Sequence, residues 1–326
     1  MSIFFQHQGL YFGSTQEKFI REQHEKNPIL REAFGWLRAK PGEPIRAAQP
    51  DDEDPFVSRY KPELTQIEVG LQAAFCSHFL ADQSAAGLIP GLLGSALHDQ
   101  ATLLESLMHG LTIAQTYEMT RSQIKISESW VLQYTEYVRG LLESEKTSFL
   151  EEIWMIPLQI ALATLTEDEA LLADGAAQYR HIIDSTFHPE GFIGPAVQDP
   201  EGDTYEAMTL ALAALTLAAE AATQSGVDLW DYENRGVGIS TAAAYLTYYY
   251  YYPEKWRWAD ALTAEKTRAI FQKHGAFMEI LTYRVYVRGI EMMFEEQRPF
   301  FGAHMGGLTT LTHTAFQRKK RRWFGF

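Results

Sequence analysis

A chain of 326 residues with almost no alternating apolar and polar run has few folds open to it. Helix signals dominate instead. The phrase STQEKF offers a capping box, Ser14 with Glu17, opening a helix through about Leu37. A second helix starts near Pro62 and carries Ile67, Leu71, Phe75 and Phe79 on one face. The phrase GLIPGLLGS reads as a loop. A helix from about His98 to Met119 follows, with Leu104, Leu107, Met108, Leu111 and Gln115 on one stripe. Two more run from about Ser127 to Leu142 and from Ser148 to Leu165, and Thr166 with Glu169 and Asp203 with Glu206 look like further capping boxes.

The segment 185–203, rich in Pro and Gly, interrupts the helical pattern. An Ala/Leu-rich helix runs from about Thr204 to Gln224, and another passes through a tyrosine run and ends before Pro253. The segment 283–291 fits a short strand or a helix end. Segment 39–56 reads as a surface connection within one domain. No repeat is visible, so the expectation is all-α, with helical hairpins arranged as a bundle, an array or a toroid.

The balance of 28 basic against 42 acidic side chains, −14 net, disfavours nucleic acid as a partner. Cys76 is the only cysteine, so no internal disulfide or cysteine-based zinc site exists, and its apolar neighbours mark it as a packed thiol. There is no His-Glu-x-x-His phrase, no phosphate-cradling glycine loop and no Gly-x-Ser-x-Gly elbow, so neither metal nor cofactor is called for. The N-terminus lacks a signal-peptide pattern and no run of eighteen apolar residues occurs, which makes the cytoplasm the default expectation and a transmembrane segment unexpected. Five consecutive basic residues, Arg318 to Arg322, lie in the tail 317–326 and read as a solvated end, with a weak membrane-surface or nucleic-acid contact as the sharper reading.

Several stretches resemble the alginate lyase family, polysaccharide lyases built on an α/α toroid. They are HQGLYFGSTQEKFIREQ, TEDEALLADGAAQYRHII, the run from Leu210 to Leu246 containing Gly226-Val227-Asp228-Leu229-Trp230 and Asn234-Arg235, and the C-terminal RGIEMMF and HMGGLTTL. The resemblance implies an (α/α)n toroid of antiparallel hairpins. It also implies proton abstraction beside a uronate carboxylate, with an Asn neutralising that carboxylate and a His or Tyr moving protons. In many relatives an Asn-Asn-His or Asn-Trp phrase opens a central helix. Here FLEEIW stands there, with Glu151 near the His position and Trp154 in register, and the chain's two asparagines, Asn27 and Asn234, are distant in sequence.

The candidate proton-transfer residues are therefore Tyr205, at the entry of the Ala/Leu-rich helix, Glu151, His181 and His188. His304, between glycines that would let a ligand approach, is a binding candidate, as are Trp154, Tyr283, Arg284 and Arg288, the last three as a basic, aromatic group for an acidic substrate. In YLTYYYYYPEKWRW, Tyr245, Tyr248, Tyr249 and Tyr252 share one helical face, which core packing largely explains. Tyr248, Tyr249 and Tyr252 are also candidates for stacking on a sugar. Three functions follow: a lyase-like enzyme on a uronate-containing or related carbohydrate, a cyclase or isomerase acting on a small apolar or isoprenoid-like molecule and started by a protonated acid such as Glu151, or a glycan-binding protein without turnover.

Overall fold

The computed structural model describes residues 5, 7, 9–45, 60–97, 101–198, 203–258 and 261–314. The basic tail and most of the 39–56 connection lie outside them. The described residues form fifteen α-helices and no strand, only isolated bridges. In order these are α1 (Ser14–Gln23), α2 (Pro28–Arg38), α3 (Gln66–Leu80), α4 (Gln83–Ala96), α5 (Leu103–Thr120), α6 (Glu128–Glu143), α7 (Phe149–Thr166) and α8 (Glu169–Thr186). There follow α9 (Gly194–Val197), α10 (Thr204–Gln224), α11 (Ile239–Tyr251), α12 (Ala264–His274), α13 (Phe277–Arg284), α14 (Ile290–Gln297) and α15 (Thr309–Thr312).

Helices α3, α5, α7, α10 and α13 pack in sequence, each against the next, and form the inner wall of a ring. Side chains at their C-terminal ends meet, so the five run parallel. His78 of α3 bonds the Met119 carbonyl of α5 at 3.1 Å. His7 joins Glu118 of α5 to Glu167 just after α7. Thr164 of α7 meets Ser225 after α10 at 2.8 Å, and Arg284 of α13 pairs with Glu220 of α10. Outer helices α4, α6, α8 and α11 to α12 return the chain, and α15 with α2 closes the circle between α13 and α3.

The inner helices are apolar on nearly every side because other elements surround them. Both α7 and α10 are long and apolar enough to cross a membrane, and both bury that surface in the ring.

The hollow is filled by the turn Gly302–Gly307, closed by paired backbone bonds of 3.1 and 2.9 Å. Gly306 and Gly307 have φ of +96° and +82°. A Cβ on Gly306 would lie 2.5 Å from Ile280 of α13, and one on Gly307 would lie 2.6 Å from Phe75 of α3. Gln115 of α5 donates to the Gly306 carbonyl at 2.9 Å. These glycines thus let the backbone approach the inner helices, not a ligand approach the backbone.

Sequence and structure part at several elements. The first helical stretch is two helices, since Asn27 caps a new one with Pro28 in its first turn, where a missing N–H costs nothing. Gln16, not Glu17, folds back onto the entry of α1, at the N–H of Gly13. The phrase GLIPGLLGS is helical: Asp82 caps α4, which carries Pro90 while packing on α3 and α5. Asp168, not Thr166, caps α8. Segment 283–291 is the end of α13, the loop after it and the start of α14.

Candidate functional site

Because the inner helices run parallel, their N-terminal ends share one rim. Partial positive charge at a helix start makes such a rim favourable for anions. At this rim the Gly302–Gly307 turn presents His304, half-buried, against α5. The Thr112 hydroxyl lies 2.8 Å from His304 Nδ1. That hydroxyl has carbonyl acceptors for its own proton, Met108 at 3.1 Å and Ala303 at 3.0 Å. With its proton on either carbonyl it accepts from Nδ1–H, the tautomer in which Nε2 is the unprotonated nitrogen.

The His109 ring of α5 stands 5.1 Å from the His304 ring. Burial foremost, then the neighbouring His109 and His274, brings the His304 imidazole down to about 4, so it is neutral near pH 7. Across the rim, Glu206 of α10 binds His274 at the end of α12, Oε1 to Nε2 at 2.7 Å, and Lys273 at 3.2 Å. The His274 bond foremost, with Lys273 and against burial, holds the Glu206 carboxyl at about 2. An ionised carboxylate only accepts, so His274 Nε2 carries a proton. The rim thus holds one neutral imidazole that can take a proton and cationic and N–H groups that can face an anion.

Glu206 reads from sequence as a capping partner of Asp203, but its carboxylate turns to α12 instead, and Asp203 makes no side-chain cap. His109, His274 and Lys273 carry no local motif. Their convergence comes from ring closure alone.

Beside this cluster runs an aromatic arc. Trp256 Nε1 donates to Thr204 Oγ1, at the start of α10, at 3.0 Å. Trp256 packs on Tyr205, Tyr245 and Tyr249 with centroids at 5.3, 5.9 and 4.9 Å. One branch continues from Tyr249 through Tyr248 to Tyr252, in steps of 5.0 Å. The other passes to Trp258, which donates to the Tyr245 hydroxyl at 3.1 Å, then to Phe192 and to His188, stacked on Phe192 at 4.2 Å.

The sequence candidates divide accordingly. Tyr205 is 2% exposed, and its hydroxyl donates to the Leu246 carbonyl at 3.1 Å. Burial drives its ionisation far up, so it is a packing residue and not a proton carrier. Glu151 caps its own helix: its carboxylate accepts from the Thr147 N–H at 2.6 Å and the Ser148 N–H at 3.1 Å. Slight burial acts against these bonds but loses, so the carboxyl sits below its ordinary value and Glu151 is no acid donor. An acid-started cyclisation at Glu151 is excluded on that ground.

His181 is exposed on outer helix α8, and His188 is exposed at the end of the arc. Trp154 is fully buried in α7, beyond reach of a ligand. Arg284 forms a two-pronged pair with buried Glu220 at 2.7 and 2.6 Å, on the opposite rim, with Tyr283 beside it; the Arg288 side chain is exposed in the following loop. Arg284 and Tyr283 therefore cannot balance charge at the His304 rim, whereas Arg288 precedes Gly289, whose carbonyl accepts from the Tyr251 hydroxyl at the end of α11 at 2.7 Å. In the tyrosine run, Tyr245 and Tyr250 are buried while Tyr248 and Tyr252 are 43% and 45% exposed, so the shared sequence face is not a single core face. Tyr250 is held by Glu296 at 2.8 Å. Cys76 is buried, as its neighbours suggest. Among the described residues no three His, Cys, Asp or Glu side chains converge as a metal site would need.

Comparison with known proteins bears on this geometry. No curated protein matches the chain. Among solved structures, a Tyr-to-Phe variant of alginate lyase A1-III in complex with a tetrasaccharide superposes with a TM-score of 0.71 at 14% identity, over 96% of this chain and 97% of that one. Alginate lyase A1-III from Sphingomonas species A1 gives 0.70 at 14% identity over the same shares. A His-to-Ala variant of that lyase with tetrasaccharide gives 0.69, over 94% and 95%. At this identity the likeness establishes the (α/α) toroid fold. The alginate lyase family model matches residues 79–256, more than half of the sequence, and so the chain belongs to the alginate lyase family.

Proposed function

We propose that this protein is a polysaccharide lyase-like enzyme that moves a proton on a uronate-containing carbohydrate at the His304 rim. One observation carries the reading: His304 Nδ1 is paired with the Thr112 hydroxyl at 2.8 Å, on the Gly302–Gly307 turn where the inner helices begin, so Nε2 is the nitrogen that can take a proton. In this reading Nε2 takes the proton beside the sugar carboxylate, the bond to the 4-O substituent breaks as the double bond forms, and the departing oxygen receives a proton from the imidazolium or from water. Helix starts and the His274–Glu206–Lys273 group face the carboxylate, in place of the asparagine other family members use. An imidazole at about 4 is a weak base in the free protein. An arriving carboxylate beside the ring favours its protonated form against burial and strengthens the base as the complex forms.

The test is incubation with alginate and other uronate polymers, following unsaturated chain ends by ultraviolet absorption. His304→Ala should lower kcat by at least about 100-fold while the protein stays folded. The acid limb of kcat/KM should lie near the free value of His304, about 4. Turnover at the full rate in His304→Ala, or silence of the unaltered protein across the polymer panel, overturns the reading.

A further inference from the structure

The aromatic arc ends in two stations, exposed Tyr248 and Tyr252 under Lys255, and half-buried Trp258 under Arg257 with buried Phe192 beside it. At the first, Lys255 Nζ lies 4.4 Å from the Tyr252 ring centroid and 5.4 Å from that of Tyr248. Lys255 donates to the Tyr248 hydroxyl at 3.0 Å and has no carboxylate in ion-pair range among the described residues. At the second, Arg257 stands over Phe192 at 5.3 Å and Trp258 at 5.0 Å. Its carboxylate partner, Glu190, is at 2.5 Å and half exposed, an ion pair that water makes weak and exchangeable.

Packing alone does not require this arrangement. The buried part of the run, Tyr245, Tyr250 and Trp256, already closes α11 onto α10 and α12. Tyr248 and Tyr252 leave over two-fifths of their surface in water, on a protein that is acidic overall. A ring face beside a cation is the combination that fits an acidic sugar: the apolar face of the pyranose lies on the aromatic, and its carboxylate meets the ammonium or guanidinium. A neutral sugar would use only half of it. The arc connects these stations to the reaction rim through Trp256 and Thr204, two residues before Glu206.

We propose that Lys255 with Tyr248 and Tyr252, and Arg257 with Trp258, form an outlying ledge that holds the acidic sugar chain beyond the reaction centre. The proposal rests on the lyase-like reading for its ligand class, but binding to the ledge needs no turnover.

The experiment is native electrophoresis through gels containing alginate, polygalacturonate or neutral dextran. The unaltered protein should be retarded in both acidic gels and not in dextran. The triple variant Tyr248→Ala/Tyr252→Ala/Lys255→Ala should bind the acidic polymers about tenfold more weakly. Lys255→Gln, which removes only the charge, should lose part of that binding with its melting temperature unchanged. Retardation of the triple variant equal to that of the unaltered protein overturns the ledge, as does equal retardation in dextran or none in the acidic gels. Loss of retardation in the variant without cleavage of any polymer by the parent keeps the ledge and rejects the lyase reading. Cleavage by the parent with undiminished retardation of the variant does the reverse.

Discussion

Tyr205 and His304 are both polar rings beside the same rim, and access separates them. The Tyr205 hydroxyl faces a backbone carbonyl in a dry setting, so it can neither ionise nor reach a solute. His304 keeps one nitrogen bound to Thr112 and the other available. Tyr205→Phe should therefore cost only about 1 kcal/mol of stability and leave kcat within about twofold, measured by thermal unfolding and polymer turnover. A fall of several hundredfold in kcat would instead place Tyr205 in the chemistry. This distinction was invisible in the sequence. A tyrosine in the first turn of a helix after a long loop reads as cleft-facing, and only the position of Leu246 shows otherwise.

At the scale of elements, helix entries were the most legible part of the chain. Ser127 and Ser148 gave starts that the structure keeps within a residue or two because their side-chain caps act locally, and the Thr204–Gln224 run kept its bounds without one, on its unbroken Ala/Leu composition. Pro90 misled the reading of α4, since a single lost backbone bond is outweighed there by packing on two neighbours. The site was harder to read. Glu206 and His274 are 68 residues apart and meet only because α10 and α12 pack. The Gly302–Gly307 turn is the element with the least tolerance. Gly307→Ala adds a methyl group against Phe75 at a φ of +82°, and should destabilise the protein by about 1–3 kcal/mol and lower activity by shifting His304. Denaturant titration with a parallel activity assay checks both. A neutral result would mean that the turn can withdraw from the hollow.

For the whole molecule, two histidines held in neutral form set the response to acid. His304 titrates at about 4 and His313, held against the Tyr11 carbonyl, at about 3, both through burial foremost. Both lie below the ordinary value of about 6.5, so between that pH and about 4 the unfolded chain binds protons that the folded one refuses. Stability should then fall as pH drops through this window, by up to about 1.4 kcal/mol per pH unit for each histidine. Glu206 adds to the loss lower down, since its advantage exists above the ordinary carboxyl value and disappears as pH approaches about 2. Urea midpoints at about pH 7 and about pH 5 measure the effect, and His313→Gln should flatten it.

The stopper in the ring also fixes an order of events during synthesis. Phe75, Gln115, Leu217 and Ile280 all surround residues 302–307, so four helices wait for a segment that follows every one of them in the chain. A nascent chain can pair its hairpins one after another, but its centre stays open until that segment arrives. His304 rides on that same segment, so the catalytic base proposed here reaches its station only when the circle is complete, and no half-built intermediate carries it in place.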